Sequence, residues 1–166
     1  MRKQFTISVQ KLLADDDRIV LLLGDIGVHA FRDSFKRHPD RCYNLGTAEQ
    51  TMVGMAAGLA KEGFYPIVHS IAPFLVRRAY EQIYIDFGAQ ELPGLFVTVG
   101  ADNDYPTLGP THRCPEDLKL MAEVPGMMVF APQDVEEVNA AICTSVTWND
   151  LGYVRLRKLT SDSPSS

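Results

Sequence analysis

Short, largely apolar runs closed by turn residues alternate along this chain with segments of helical period, and few folds accept that order. Ile19–Leu23, residues 66–70 and residues 94–100 are runs of strand length with little polar alternation. A strand of that kind has both of its faces covered, which is the condition inside a parallel sheet. Cys42–Asn44, residues 127–130 and residues 152–156 complete the set of strands. Residues 6–14, 28–38, 54–63, 74–87, 116–123 and 134–146 read as helices, and residues 101–115 as a long polar loop. The order predicts an α/β fold, a three-layer α/β/α domain with a mostly parallel sheet. A chain of 166 residues, 46% of them hydrophobic, is the right size for one such core. The domain is expected over residues 1–159, with residues 160–166 as a loose polar tail.

Composition excludes several classes of partner. The net charge is −5 and the basic residues are interspersed with acidic ones, so no basic stripe offers a footprint for nucleic acid. No apolar run is long enough for a signal peptide or a membrane span, and a cytoplasmic protein is expected. Cys42, Cys114 and Cys143 are widely spaced. That spacing gives neither a disulfide framework nor a zinc motif, and no metal ligand is assigned to this chain.

The segment from Asn44 to Ala60 sets one carboxylate, Glu49, among small residues. It reads as a loop ending in a cap at Thr47, with Gln50 three residues later, followed by a helix that stops near Gly63. Glu49 then lies in the first turn, where the helix dipole favours an ionised carboxylate and burial would oppose it. Gly54 and Gly58, one turn apart, permit close backbone approach, either at a helix crossing inside the domain or at an interface.

Polar and ionisable residues gather after the carboxyl ends of several predicted strands: Asp25, Asn44 with Glu49, His69 with Ser70, and residues 102–112. In a parallel sheet these ends form one rim, where open α/β folds place ligands. Plainer roles stand beside the functional ones. His69 could cap a strand, His112 could bond within its loop, and Arg77 and Arg78 could be solvated. Ile71, Leu75, Ala79 and Ile83 are expected to face the core, which leaves Phe74 for interface packing or ligand stacking. The turn Gly24-Asp-Ile-Gly27 lacks the spacing of a dinucleotide or P-loop motif and reads better as a tight connection at the edge of a cleft.

Four motifs now carry a resemblance: Asn44-Leu-Gly-Thr-Ala-Glu-Gln-Thr-Met-Val-Gly-Met-Ala-Ala-Gly58, Phe74 followed by Arg78-Ala-Tyr-Glu-Gln-Ile83, Gly109-Pro-Thr-His112, and Met128-Val-Phe-Ala-Pro-Gln-Asp134. Together, and in this order, they resemble the pyrimidine-binding domain of the transketolase family of thiamine diphosphate enzymes, which includes deoxyxylulose-phosphate synthase. The resemblance implies that Glu49 hydrogen-bonds the cofactor's aminopyrimidine and promotes the imino tautomer that removes the thiazolium proton. Phe74 is implied as the aromatic that stacks on the pyrimidine. Relatives often place that phenylalanine three residues before the arginine, a position held here by Leu75, so Phe74 and Leu75 are both candidates. His112 is implied at the substrate oxygens, with His69 as a second catalytic candidate in the same pocket. Arg78 matches a basic position near the phosphate end of sugar-phosphate substrates, with Arg113 as an alternative, and Asp25 is a further cofactor-side candidate. Tyr80 or Tyr105 could form a second wall.

The family holds the diphosphate and its Mg2+ through a Gly-Asp-Gly motif with a later asparagine in a separate domain, and this chain has no such motif. The resemblance therefore implies one subunit of a split enzyme, or a piece of a longer one, that needs a diphosphate-binding transketolase N-terminal-section partner subunit. It further implies a homodimer through the pyrimidine domain and a small sugar substrate. The expected activity is thiamine diphosphate-dependent transfer of a two-carbon ketol unit between ketose and aldehyde. The alternatives are a component of a 2-oxo-acid decarboxylase or dehydrogenase, and a non-catalytic relative.

Overall fold

The computed structural model describes residues 1–100 and 104–157. Six strands form one sheet: β1 Ile19–Leu23, β2 Cys42–Asn44, β3 Tyr65–Ile71, β4 Gly94–Val99, β5 Met128–Phe130 and β6 Leu151–Arg155, in the order β2-β1-β3-β4-β6-β5. All five strand pairings are parallel. Helices α1 Arg2–Asp15, α2 Arg32–Arg37, α3 Glu49–Lys61, α4 Tyr80–Gln82, α5 Asp117–Ala122 and α6 Val135–Trp148 cover it. The predicted tail, residues 160–166, lies outside the described residues, as do residues 101–103 of the predicted loop.

Strand alternation divides the core in two. Ile19, Leu21, Leu23, Ile67, Val97 and Val154 pack under Phe5, Val9 and Leu13 of α1 and Val138 and Ile142 of α6. Val20, Leu22, Val68, Phe96 and Tyr153 pack under Met52, Val53 and Ala56 of α3, Leu75, Ile83 and Met121. All residues of β1 and β4 are buried, because neither strand has a solvent face. Connections leave β1 and β3 toward opposite faces, since Phe31 and Phe35 beside α2 join the α1 side while Leu75 and Val76 after β3 join the α3 side. A crevice opens at the carboxyl ends of two neighbouring strands that diverge in this way.

Several local expectations are corrected. The 28–38 helix is only α2, because Asp25 (φ 57°) and Gly27 (φ 75°) turn the chain and residues 28–31 remain a turn. Helix α3 starts at Glu49 from an Ala48 cap with no side-chain bond, so the expected Thr47 cap is not formed. Gly46 at φ 72° brings the chain round just before it. The 74–87 helix is two π turns, Pro73–Arg77 and Ile83–Gly88, around the short α4. Ile71 ends β3 and is only partly buried on the α1 side, whereas Leu75, Ala79 and Ile83 are fully buried on the other. The polar loop contains a 3₁₀ turn, Pro106–His112, kinked at Gly109 (φ 72°, ψ −162°). Gly54 and Gly58 have no neighbouring atom within 4 Å of a would-be Cβ, which excludes a helix crossing at either glycine among the described residues.

Candidate functional site

Glu49 opens α3 with its side chain turned into the crevice, and the residue is 3% exposed. The Ser70 hydroxyl donates to Glu49 Oε1 at 3.3 Å, and Arg78 Nη1 donates to Oε2 at 3.3 Å. A buried carboxylate needs such partners, because water is no longer there to solvate it. Gly24 makes room for the first contact, since a Cβ on it would stand 2.9 Å from Ser70 Oγ. A hollow of about 160 Å³ lies at this helix start, lined by Thr47 to Thr51 and by Arg78.

Beyond Arg78 the aromatic groups form a row. The Arg78 guanidinium carbon lies 4.1 Å from the Phe74 ring centroid. Phe74 meets His112 edge-on at 5.0 Å, and His112 meets Tyr105 at 6.1 Å. Thr111 Oγ1 is 2.9 Å from His112 Nδ1. Leu75 points away into the core and is fully buried, so it takes no part in this row. A π turn holds one residue more than an α turn. The Pro73–Arg77 segment is such a turn, with Phe74 on the crevice side against Arg78 and His112 and Leu75 in the core.

The structure separates the other candidates. His69 projects to the opposite face of the sheet from Ser70, as strand alternation requires. It is 4% exposed, packs on Phe5 with ring centroids 4.7 Å apart, and its Nδ1 lies 2.8 Å from the Val97 carbonyl oxygen. Burial pulls its pKa down to about 4, against the carbonyl contact, which raises it. His69 is therefore a neutral core histidine and does not meet Glu49. Asp25 is exposed in the turn after β1, where its backbone N–H donates to Asn44 Oδ1 at 3.0 Å and its carboxylate accepts from Asn44 Nδ2 at 3.2 Å. It braces the loop before Glu49 rather than entering the hollow. Arg77 pairs with Glu116, and Arg113 lines a separate hollow of about 280 Å³ with Arg77, Gly109, Pro110 and Pro115.

Two contributors carried little signal in the sequence. Ser70 is named beside His69, but only the period-two alternation of a strand tells which of the two faces Glu49. The second is a buried network behind the His112 loop. Arg155 pairs with Asp117, with Arg155 Nε donating to Asp117 Oδ2 at 2.9 Å. The Tyr153 hydroxyl donates to the same oxygen at 2.5 Å and so must accept from Thr98 Oγ1 at 2.7 Å. Arg155 Nη2 also donates to the Pro115 carbonyl at 3.3 Å. The network fastens the segment between His112 and α5 to the ends of β4 and β6.

The profile of the transketolase pyrimidine binding domain family matches residues 1–161. The chain belongs to this family. Within it, the chain is 34% identical over 152 residues to an uncharacterised 33.6 kDa protein of the fasciation locus of Rhodococcoides fascians, covering 92% of this chain and 49% of that protein. It is 37% identical over 161 residues to the 1-deoxy-D-xylulose-5-phosphate synthase of a Cyanothece species, covering 93% of this chain and 24% of the synthase. Among solved structures, one described as a split gene transketolase in an inactive beta4 tetramer superposes with a TM-score of 0.82 at 27% identity, over 99% of this chain and 55% of that one. This transketolase pyrimidine domain thus spans about half the length of some relatives and about a quarter of others.

Proposed function

We propose that this chain is the pyrimidine-binding part of a split thiamine diphosphate enzyme of transketolase type, which transfers a two-carbon ketol unit between sugar phosphates or related ketoses and aldehydes. One observation carries the reading: a carboxylate almost wholly buried at the first turn of α3, bonded by Ser70, at the crevice between β1 and β3 of a transketolase pyrimidine domain. The donor set fits the pyrimidine half of the cofactor, which asks for a carboxyl group against a ring nitrogen and a flat apolar face against the ring. When bound, the cofactor supplies the carbon nucleophile and the electron sink. Glu49 holds the proton at the ring nitrogen, Ser70 fixes the carboxyl rotamer, and Phe74 orients the ring and excludes water. His112 Nδ1 is engaged by Thr111, so Nε2 is the nitrogen left to exchange a proton with a substrate oxygen.

The rest of the site belongs to a partner subunit bearing the Gly-Asp-Gly motif, which binds the diphosphate through Mg2+. The split-gene transketolase supports a two-chain arrangement. Two copies of this chain meet through the open face of α3.

The tagged chain is to be recovered from its native cell extract, its bound proteins identified, and thiamine diphosphate binding measured by calorimetry with and without them. A Gly-Asp-Gly partner is expected, with binding that needs both chains and Mg2+. Glu49→Gln should leave the chain folded and lower turnover by the pair at least about 100-fold. Absence of any such partner together with absence of binding would overturn the proposal.

A further inference from the structure

Arg78 occupies both contacts that a pyrimidine would use. Its guanidinium lies on the Phe74 ring at 4.1 Å, the separation at which a stacked group sits, and Nη1 takes Glu49 Oε2 at 3.3 Å while Ser70 holds Oε1. The same side chain closes the neighbouring hollow, whose other described lining residues are the run Thr47 to Thr51 at the entry to α3. At about 160 Å³ that hollow is smaller than the roughly 300–1,000 Å³ of ordinary ligand pockets. Withdrawal of Arg78 would join the hollow to the Phe74 face. Arg78 is held by its contacts to Glu49 and Phe74, while its side chain stays 51% exposed and it lies between the π turn Pro73–Arg77 and α4.

We infer that Arg78 is a specificity residue that occupies the pyrimidine seat in the free chain and admits only a ligand able to replace both of its contacts at once. The inference rests on the proposed pyrimidine site. A ligand with a flat ring but no hydrogen-bonding edge strands the Glu49 carboxylate, and one with the edge but no ring leaves Phe74 bare. In either case the guanidinium returns. An aminopyrimidine supplies both. The seat is a two-state element, and its apparent affinity is reduced by the fraction of molecules in which Arg78 is in place.

The test uses the uncharged 4-amino-5-hydroxymethyl-2-methylpyrimidine as probe, titrated into the isotope-labelled chain and followed by NMR. In the wild-type chain the Arg78 Nε–H signal should start upfield, shielded by the Phe74 ring, and move to an ordinary position as the Phe74 and Glu49 signals shift. Arg78→Met should bind the probe more tightly, by about tenfold if the guanidinium fills the seat in nine of ten free molecules. Should that variant fail to fold, the wild-type Arg78 signal alone decides. Equal or weaker binding by Arg78→Met, or an Arg78 signal that stays in place while Phe74 and Glu49 respond, overturns the inference and leaves the pyrimidine site standing. No response at Phe74 or Glu49 in the wild-type or the variant chain, alone or with the diphosphate-binding partner added, up to the solubility of the probe overturns the pyrimidine site and the inference together.

Discussion

Ser70 reaches Glu49 only because Gly24, at the end of the next strand, has no side chain to stand in its way. That is a constraint of contact, invisible in the order of residues. His69, one position earlier, is a histidine on a rim of polar residues in the sequence and a core residue in the fold. Its role is structural and can be read in the pH dependence of stability. The folded imidazole stays neutral down to about pH 4, while the unfolded one binds a proton below about pH 6.5. Unfolding therefore takes up a proton between those values, and the stability that neutral His69 contributes is present above pH 6.5 and lost as pH falls toward 4. Chemical denaturation across that range should show the wild-type chain losing up to about 3 kcal/mol more than His69→Gln, with the two curves running parallel above pH 7. Glu49 stood out in the sequence as one carboxylate among small residues, and Phe74 because the apolar period through Leu75, Ala79 and Ile83 leaves it outside the core. The division between Phe74 and Leu75 was not legible in the motif, because it depends on the pitch of one turn.

At the scale of elements, the strands were read within one or two residues, since a continuous apolar run has few other places to go. The helix ends were read less well. Thr47 has the chemistry of a cap, but the Gly46 turn brings the chain into α3 one residue later, and Glu49 spends its side chain on Ser70 and Arg78 rather than on the helix end. The segment after β3 differs most from its sequence reading, because the apolar period continues through Pro73–Arg77 while the backbone widens to a π turn. A turn with one residue to spare should tolerate its loss. Deleting Arg77, whose exposed side chain pairs with Glu116 at the surface, should close the turn to α geometry and lower Tm by less than about 5 °C. Deleting Ala57 should instead unfold the chain, because it rotates the rest of α3 by about 100° and turns its buried face outward. Thermal melts of the two variants, followed by circular dichroism, make the comparison.

Across the whole molecule, the open face of α3 is the surface most in need of an explanation. Gly54 and Gly58 are exposed, with no atom within 4 Å of a Cβ placed on either, and on the Ile83–Gly88 turn, which packs against α3, Tyr84 and Ile85 are 40% and 50% exposed. Small residues beside exposed apolar ones allow two backbones to approach closely, which is the basis of the proposed homodimer. Gly58→Arg would place a long charged side chain on that face, at a site where it meets no clash within its own chain. Sedimentation equilibrium should show a dimer for the wild-type chain and a monomer of unchanged Tm for the variant. The alternation of apolar runs and helical periods determined the α/β class and the strand positions, because burial on both faces of a parallel sheet permits no other pattern. The motifs around Glu49, Phe74 and His112 determined the family. Tertiary structure alone decided that Ser70 and not His69 meets Glu49, that Leu75 belongs to the core, that Arg78 lies on Phe74, and that Asp117, Tyr153 and Arg155 fasten the His112 loop. Each of these depends on which face of a strand or turn a residue occupies and on what stands opposite it, and those are distances across the sheet that the order of residues does not contain.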